Sequence, residues 1–416
     1  MIDDRVRIKV TGLSSKAAVT LQLSVHRPSD KLDFRSRSLY VSSDSGEIDV
    51  GSAEALDGGS YTGLDAMGPF WSMRPSNESN AVLQTTNLEQ PLNVTAELYA
   101  GHHGPGSIVR DADLVAKCAI ERQFIASGVR RIPVIADGIH SILFLPATAS
   151  SGTSVPLINV IYGGVVRRGH LKEERAALYA AKGFAALAVG IFGMPGLPKM
   201  YQDIEIETLE KTIDHVLNSF EVIDPNRVGM HGISKGGDIT LSCAAFLKAK
   251  IKAAVIQNAC ICSIAGKTSY GGHVVEMLDF HPEKARFRED GSVDPIDMLS
   301  EPAECPHSVI PFADCPADLL FLAAGDDHNF QSAKYARLAE DMCRDSGKKN
   351  YEIVYAKGAG HMCNAPYSPG VFVDKHPIMP GGLVYMGGES TPDEHSRGQI
   401  AFWNKANDFF KRTLRV

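Results

Sequence analysis

Long apolar segments and extended basic tracts are both missing from this sequence. It has no uninterrupted apolar run of about 18 residues, so a membrane-spanning helix is not expected. Lys and Arg total 42 against 49 Asp and Glu, which gives a formal net charge of −7, and contiguous basic residues occur only as doublets. An anionic partner such as a nucleic acid or a charged membrane surface is therefore not expected.

Recognisable targeting signals are absent as well. The first residues, Met1 to Arg5, contain neither an apolar signal core nor an Arg-rich, acid-poor presequence. The last three residues differ from the peroxisomal Ser-Lys-Leu ending. We therefore expect a cytoplasmic protein, with the peroxisome and the mitochondrion as alternatives, and the sequence indicates no oligomeric state.

The eight cysteines do not form the pattern of a disulfide scaffold or of a metal site. None is spaced as Cys-x-x-Cys, and Cys260 and Cys262 have no second pair with which to complete a zinc site. An HExxH motif and clustered carboxylates are missing too. Reduced thiols are the expected state, and neither a metal ion nor a cofactor is expected.

The composition that remains, 44% hydrophobic and 22% charged, is that of a globular protein, and 416 residues correspond to about two or three domains. Up to residue 135, short runs such as Val19 to Val25 alternate between apolar and polar residues, with segments rich in Gly, Ser, Asp and Pro between them. Alternation with period two is typical of half-buried strands. The sequence predicts a β-sandwich domain over residues 1–135.

After residue 135 the pattern changes to continuous apolar runs that alternate with amphipathic segments. The run Pro156 to Tyr162 suits a strand covered on both faces, whereas Ile206 to Ser219 places apolar residues at helical spacing. Repeated alternation of strand and helix predicts a mostly parallel sheet with helices on both faces. We expect this α/β domain to span residues 136–416.

A Gly-x-Ser-x-Gly motif occupies residues 232–236, between a strand-like and a helix-like segment. A serine on such a turn is exposed above the sheet, and the glycines are needed because a Cβ there would collide with the neighbouring strand and helix. The free N–H groups at the start of the following helix can stabilise negative charge near the serine. Ser234 is therefore the predicted nucleophile.

A serine nucleophile needs a base and a carboxylate that orients the base, in the chain order Ser, Asp or Glu, His. The strand-like run Leu319 to Ala324 is followed by Gly325, Asp326 and Asp327. Both carboxylates are thus expected on a loop at the carboxyl edge of the sheet. Spacing does not separate Asp326 from Asp327, and both are candidates for the orienting acid.

The predicted base is His361. The strand-like run Tyr351 to Tyr355 leads into Gly358-Ala359-Gly360-His361, so this histidine lies in a glycine-rich loop after a strand. With fourteen histidines in the chain, most are expected to be solvated or structural. His328 and His231 lie beside the motifs in the sequence and are not expected to act as the base.

Two backbone N–H groups are expected to form an oxyanion hole. One belongs to Lys235, the residue after the nucleophile, and the second comes from the loop after an early strand, residues 162–166. Gly164 and Val165 are the candidates in that loop, because the missing side chains of Gly163 and Gly164 let a backbone N–H approach the reacting carbonyl. A plain strand-to-helix turn is the alternative interpretation of this loop.

Six segments, distributed over nearly the whole chain, follow the order and the approximate spacing of one known family. They are residues 6–13, 63–73, 231–238, 321–329, 358–361 and 387–389. Together they resemble the type I acyl-CoA thioesterases, which share a family with bile acid-CoA:amino acid N-acyltransferase.

The resemblance implies a β-sandwich N-terminal domain, an α/β-hydrolase C-terminal domain, and hydrolysis of fatty acyl-CoA to free fatty acid and CoA. The family uses the second aspartate of its acid loop in the triad, which corresponds to Asp327. The implied partner is the fatty acyl-CoA substrate. One departure lies in the oxyanion loop, where the family often has a longer glycine run and this chain has Gly163 and Gly164 followed by Val165.

Three alternatives accompany this function. Transfer of the acyl group to an amino acid is the activity of the family branch that uses Cys as nucleophile, whereas this chain has Ser234. A carboxylesterase acting on oxygen esters would use the same triad. A catalytically silent lipid-binding member is disfavoured, because all three triad positions are filled. The sequence therefore favours a serine thioester hydrolase.

Overall fold

The computed structural model describes residues 1–27, 31–77, 79–83, 85, 87–136, 138–150, 152–164, 171–376 and 382–415. Within these ranges the strands form five sheets, of eight, five, four, three and two strands. The α-helices are α1 (Gly68–Trp71), α2 (Glu174–Ala181), α3 (Ile206–Ser219), α4 (Lys235–Phe246), α5 (Ser332–Asp345) and α6 (Pro392–Leu414).

The N-terminal unit is an antiparallel sheet with the strand order β5-β3-β2-β6-β7. Its strands are β2 (Ala18–Arg27), β3 (Leu32–Val41), β5 (Arg74–Pro75), β6 (Leu92–Ala100) and β7 (Leu114–Arg122), and a second, two-stranded sheet consists of β1 (Lys9–Val10) and β4 (Ile48–Asp49). Leu21 and Leu23 of β2 share one apolar cluster with Ile48 and Val50 of the smaller layer. The predicted antiparallel β-sandwich is present, with layers of unequal size.

The C-terminal unit contains an eight-stranded sheet with the order β20-β19-β14-β13-β10-β11-β9-β8. The strands are β8 (Arg130–Ala136), β9 (Ile139–Leu145), β10 (Val155–Tyr162), β11 (Ala185–Val189), β13 (Ile223–Ile233), β14 (Ile251–Gln257), β19 (Asp318–Ala324) and β20 (Tyr351–Ala356). The six strands from β10 onwards pair in parallel, whereas β8 and β9 are antiparallel. The predicted mostly parallel sheet is confirmed.

Both faces of this sheet are covered by helices. Successive residues of each strand point to opposite sides, so neighbouring residues of one strand pack in different apolar clusters. Leu319 and Phe321 of β19 pack in one apolar cluster with residues of α3, α4 and α5. Leu320 and Leu322 belong to the cluster that contains residues of α2 and α6. Among the described helices, including the 23-residue α6, none combines the length and the apolar character needed to span a bilayer.

Two small sheets lie in the connections of the C-terminal unit. Their strands are β12 (Ile204–Glu205), β15 (Thr268–Tyr270) and β16 (His273–Val275) in one, and β17 (Arg286–Phe287), β18 (Val293–Asp294), β21 (Val373–Lys375) and β22 (Leu383–Tyr385) in the other. The second sheet contacts the loops at the carboxyl edge of the large sheet. The N–H of His361, for example, donates to the carbonyl oxygen of Met386, at 2.7 Å, just after β22.

The predicted division of the chain into 1–135 and 136–416 stays a prediction, and the strand pairing favours an earlier boundary. Strand β8 pairs along its whole length with β9, so the division after residue 135 would cut a strand of the C-terminal sheet. Short strands with alternating apolar and polar residues occur on both sides of the boundary. The residue pattern therefore does not separate the two units. We propose that the units divide between Arg122 and Arg130, in the connection between β7 and β8.

Candidate active site

Ser234 lies at the turn between β13 and α4. The strand ends at Ile233, the helix begins at Lys235, and the serine between them has φ 60° and ψ −133°. A positive φ is uncommon for a residue with a side chain, and it persists where the surrounding structure enforces it. Ser234 is partly exposed, whereas Ile233 and Lys235 are buried. The structure thus has the strand–turn–helix geometry that the motif predicts, and the role of Ser234 as nucleophile stays a prediction.

The glycines on either side of Ser234 are required by the packing of the backbone. A Cβ on Gly232 would lie 2.0 Å from the carbonyl oxygen of Gly236, and a Cβ on Gly236 would lie 2.1 Å from the carbonyl oxygen of Ile161 in β10. Both distances are far shorter than the separation of non-bonded atoms, about 3.5–4.0 Å between carbons. The collisions predicted from the motif are therefore confirmed.

We expect Gly236→Ala to lower the free energy of unfolding by about 3 kcal/mol, because its methyl group would force β10 and α4 apart. Urea denaturation measures the change. Gly164→Ala is the matched control: no atom of the described residues lies within 4 Å of its Cβ position, and we expect a change of less than about 0.5 kcal/mol. Equal unfolding midpoints for the two variants would contradict the tight approach of helix and strand.

Lys235 presents its backbone to the turn and buries its side chain. Its ammonium group donates to the carbonyl oxygen of Ile264 and lies 3.2 Å from Oδ2 of Asp238, which is fully buried. Burial raises the pKa of Asp238 to about 6, although the Lys235 ammonium opposes this shift. Because the side chain is anchored behind the helix start, the N–H of Lys235 remains at the N-terminal end of α4, next to Ser234.

The loop after β10 passes over the start of α4. A Cβ on Gly163 would lie 2.3 Å from the backbone nitrogen of Lys235, so the two backbones are in contact. The N–H of Gly163 donates to the carbonyl oxygen of Ile233, at 3.0 Å, and is therefore occupied. Gly164 lines the same cavity as Ser234. Val165, the other candidate donor, lies outside the described residues.

Asp327 follows β19 and is 5% exposed. Its Oδ1 accepts hydrogen bonds from the N–H groups of Asn329 and Phe330, at 2.9 and 3.0 Å, and its Oδ2 accepts one from the Ser332 hydroxyl at 2.5 Å. Nδ1 of His361 lies 3.0 Å from Oδ1 and 2.9 Å from Oδ2. The carboxylate is thus held by its own loop and faces the predicted base.

The neighbouring carboxylate of Asp326 points elsewhere. Its Oδ2 accepts a hydrogen bond from the N–H of Gly388 at 2.7 Å, and its Oδ1 lies 3.5 Å from Nε2 of His328. The other ring nitrogen of His328 lies 2.9 Å from Oδ2 of Asp294, and this contact raises the pKa of the histidine. Asp326 and His328 therefore link the acid loop to the small sheet, and the geometry separates the two aspartates that spacing alone did not.

His361 is 1% exposed and lies in the loop after β20. Both His361 and Ser234 line one cavity. Nε2 of the histidine lies 3.1 Å from the amide nitrogen Nδ2 of Asn329. The hydrogen bonds among the described residues do not include one between Ser234 and His361, although both residues face the same cavity.

His231, the last strand residue before the Gly-x-Ser-x-Gly motif, is a core residue. Its Nδ1 lies 2.7 Å from the hydroxyl of Tyr179, and its Nε2 lies 3.1 Å from Oε1 of Gln257. Complete burial lowers its pKa well below the usual value for histidine. It is held in the core beneath Ser234 by Tyr179 and Gln257.

Several buried polar residues that were not predicted from the sequence donate hydrogen bonds to the loop after β20 that contains His361, called the base loop below. Asn258, directly after β14, donates to the carbonyl oxygen of His361 at 2.7 Å and accepts from the N–H of Ala324 at 2.9 Å. Arg175 donates to the carbonyl oxygen of Cys363 at 2.8 Å. The only sequence signal for Asn258 is its position at the end of an apolar run, where loops at the carboxyl edge begin.

The cavity at this edge has a volume of about 860 Å³. Its walls come from both units of the chain and include apolar and aromatic side chains, among them Leu83, Phe124, Leu178, Ile191, Met386 and Trp403. Cavities of this size suit small organic ligands. Among the described residues, no group of three or more His, Cys, Asp or Glu side chains is arranged to hold a metal ion.

Two family models match the chain and together account for most of it. The acyl-CoA thioester hydrolase/BAAT N-terminal region matches residues 3–136, and the BAAT/acyl-CoA thioester hydrolase C-terminal model matches residues 204–416. The second match alone covers more than half of the chain and contains Ser234, Asp327 and His361.

Individual relatives align over almost the full length. Acyl-coenzyme A thioesterase 6 of Mus musculus is 34% identical over 414 residues, which cover 99% of this chain and 94% of that protein. Acyl-coenzyme A thioesterase 1 of Homo sapiens is 33% identical with the same coverage. The mitochondrial acyl-coenzyme A thioesterase 2 of Rattus norvegicus is 33% identical over 99% of this chain and 87% of its own length. The chain therefore belongs to the acyl-CoA thioester hydrolase/BAAT family.

Proposed function

We propose that this protein is an acyl-CoA thioesterase that hydrolyses fatty acyl-CoA to free fatty acid and CoA. The observation that carries the proposal is the contact of Asp327 with Nδ1 of His361 beside the cavity that Ser234 also lines. Membership of a family whose relatives are named acyl-coenzyme A thioesterases supports the substrate class. The cytoplasmic location expected from the sequence stays a prediction, because one relative is named mitochondrial.

In the proposed reaction, Nε2 of His361 removes the proton of the Ser234 hydroxyl, which attacks the acyl carbon of the thioester. Asp327 holds the imidazole through Nδ1 and stabilises its protonated form. The tetrahedral intermediate collapses to acyl-Ser234 and the CoA thiol, to which His361 returns the proton. A water molecule activated by the same histidine then hydrolyses the acyl-enzyme and releases the fatty acid.

The negative charge of the tetrahedral intermediate requires hydrogen-bond donors that are already in position. We assign one donor to the N–H of Lys235, at the N-terminal end of α4. The second donor belongs to the loop that contains Gly164 and Val165. The occupied N–H of Gly163 favours the residues after it for this role. A thiolate leaves more readily than an alkoxide, so stabilisation of the oxyanion is the main demand on the site.

We expect the acyl group to be transferred to water and not to an amine. With palmitoyl-CoA and an excess of glycine or taurine, mass spectrometry should detect free palmitate and essentially no amide. An oxygen ester at Ser234 is cleared by the water that His361 activates, whereas a thioester at a cysteine nucleophile favours capture by an amine. A dominant N-acyl product would favour the acyltransferase alternative.

Ser234→Cys serves as the companion variant for this measurement. It should lower hydrolysis and raise the fraction of amide, because only the atom that carries the acyl group changes. Cleavage of a simple oxygen ester with kcat/KM above that for palmitoyl-CoA would instead favour the carboxylesterase. The thiol of released CoA and the acyl products are measured in the same reaction, so the three activities are separated directly.

A further inference from the structure

The side-chain amide of Asn329 contacts the histidine of the proposed triad at the wall of the cavity. Its Nδ2 is 3.1 Å from Nε2 of His361, and the residue lines the cavity together with Ser234. Its backbone N–H donates to Oδ1 of Asp327 at 2.9 Å, which fixes the start of the side chain beside the base. The amide is therefore held against the ring nitrogen that faces away from the acid.

The contacts of the ring assign the role of each nitrogen. Nδ1 of His361 faces both carboxylate oxygens of Asp327, so it carries the hydrogen of the neutral ring. Nε2 then has a free lone pair and accepts a hydrogen bond from the Asn329 amide. The nitrogen that must take the proton of Ser234 is thus occupied by a donor, and the serine has to replace this donor before the reaction begins.

We propose that Asn329 is a positioning residue that keeps Nε2 of His361 unprotonated in the free enzyme and yields its place to the Ser234 hydroxyl when the acyl thioester binds. The proposal rests on the thioesterase function given above. A donor to the neutral ring disfavours protonation. The enzyme therefore retains an active base at lower pH than it would without the amide, at the expense of exchanging one hydrogen bond in each turnover.

Other charged and titratable groups also face the base loop and its neighbours. They are Asp327 and Asp326 of the acid loop, His328, Cys363 of the base loop itself, Arg175 on α2 and His395 on α6. Burial lowers the pKa of His395 to about 4, and burial raises the pKa of Cys363 to about 12. All six remain in place when Asn329 is replaced, so a comparison of variants isolates the effect of the amide.

The test is the pH dependence of kcat/KM for palmitoyl-CoA in wild type, Asn329→Ala and Asn329→Asp. Loss of the donor in Asn329→Ala should move the midpoint of the acid limb upward by roughly 0.5–1 pH unit. Asn329→Asp has nearly the same size but places a carboxylate beside the ring, which favours the protonated form. Its midpoint should rise further than that of Asn329→Ala.

Asn364→Ala is the control, because Asn364 also lines the cavity, whereas the hydrogen bonds of the described residues include none between its side chain and His361. Its midpoint should stay at the wild-type value. A role for Asn329 in loop structure alone would lower the rate at every pH without moving the midpoint. Unchanged midpoints in both Asn329 variants would therefore overturn the proposal.

The pH dependence of inactivation by a fluorophosphonate gives the same information without an acyl-CoA. Its rate depends on Ser234 and an unprotonated base, so the order of midpoints should again be wild type, Asn329→Ala, Asn329→Asp. If this order holds while no acyl-CoA is hydrolysed, the role of Asn329 stands and the proposed thioesterase function fails. If acyl-CoA is hydrolysed but the order of midpoints is lost, the thioesterase function stands and the proposed role of Asn329 fails.

Discussion

Ser234→Ala should fold normally and lower kcat by on the order of 10⁶-fold, the loss measured when a protease of this mechanism loses its nucleophile. The substitution removes one oxygen from a partly exposed side chain and leaves the elbow glycines untouched. Release of CoA from palmitoyl-CoA, followed with a thiol reagent, measures the rate. The thermal midpoint checks the fold.

Ser242→Ala is the matched control, since Ser242 lies on α4 and its buried hydroxyl donates to the carbonyl oxygen of Asp238, at 2.9 Å. Its kcat should stay close to that of the wild type. A fluorophosphonate should label the wild type and Ser242→Ala but not Ser234→Ala. Substantial turnover by Ser234→Ala would remove this residue from the mechanism.

Asp327→Asn is expected to lower kcat by roughly 10⁴-fold, as the comparable change does in a serine protease. The amide cannot accept from all the donors that surround the carboxylate, namely the N–H groups of Asn329 and Phe330, the Ser332 hydroxyl and Nδ1 of His361. The imidazole is then held in the wrong tautomer. Steady-state kinetics with palmitoyl-CoA measure the loss.

Asp326→Asn provides the comparison within the same loop. Asp326 contacts Gly388 and His328 and does not contact the predicted base, so we expect less than about a tenfold change in kcat. If the larger loss occurred in Asp326→Asn, the assignment of Asp327 as the orienting acid would be wrong. Thermal midpoints of both variants separate a loss of activity from a loss of folded protein.

The parts of this molecule that the sequence predicts are those set by local rules. The elbow around Ser234 needs a strand, two glycines and a helix within a few residues, and each of these leaves a mark in the sequence. Strands that are covered on both faces, such as β19, likewise appear in the sequence as continuous apolar runs. The fold class and the turn that carries Ser234 were therefore accessible without coordinates, and the roles of Ser234 and His361 stay predictions.

Features that depend on contacts between distant loops were not accessible from residue pattern alone. Asp326 and Asp327 are adjacent and chemically identical, and their different partners in the folded chain, among them the N–H of Gly388 and the ring of His361, hold them on different sides. Asn258 and Asn329 each contact the base loop from another part of the chain. An amide in a loop has many possible partners, so its type and position did not indicate this role.

Strand β8 also determines which hydrogen-bonding groups the large sheet leaves unpaired at its end. It is the outermost strand, and it contains Pro133, which lacks an N–H, together with the cations Arg130 and Arg131. Proline and charge are features that prevent edge-to-edge association of sheets. The next strand, β9, is apolar and almost wholly buried. A catalytic fragment cut after residue 135 would therefore expose the backbone hydrogen-bonding groups of β9 to other chains and favour aggregation. A fragment that retains β8 keeps the charged, proline-containing edge strand.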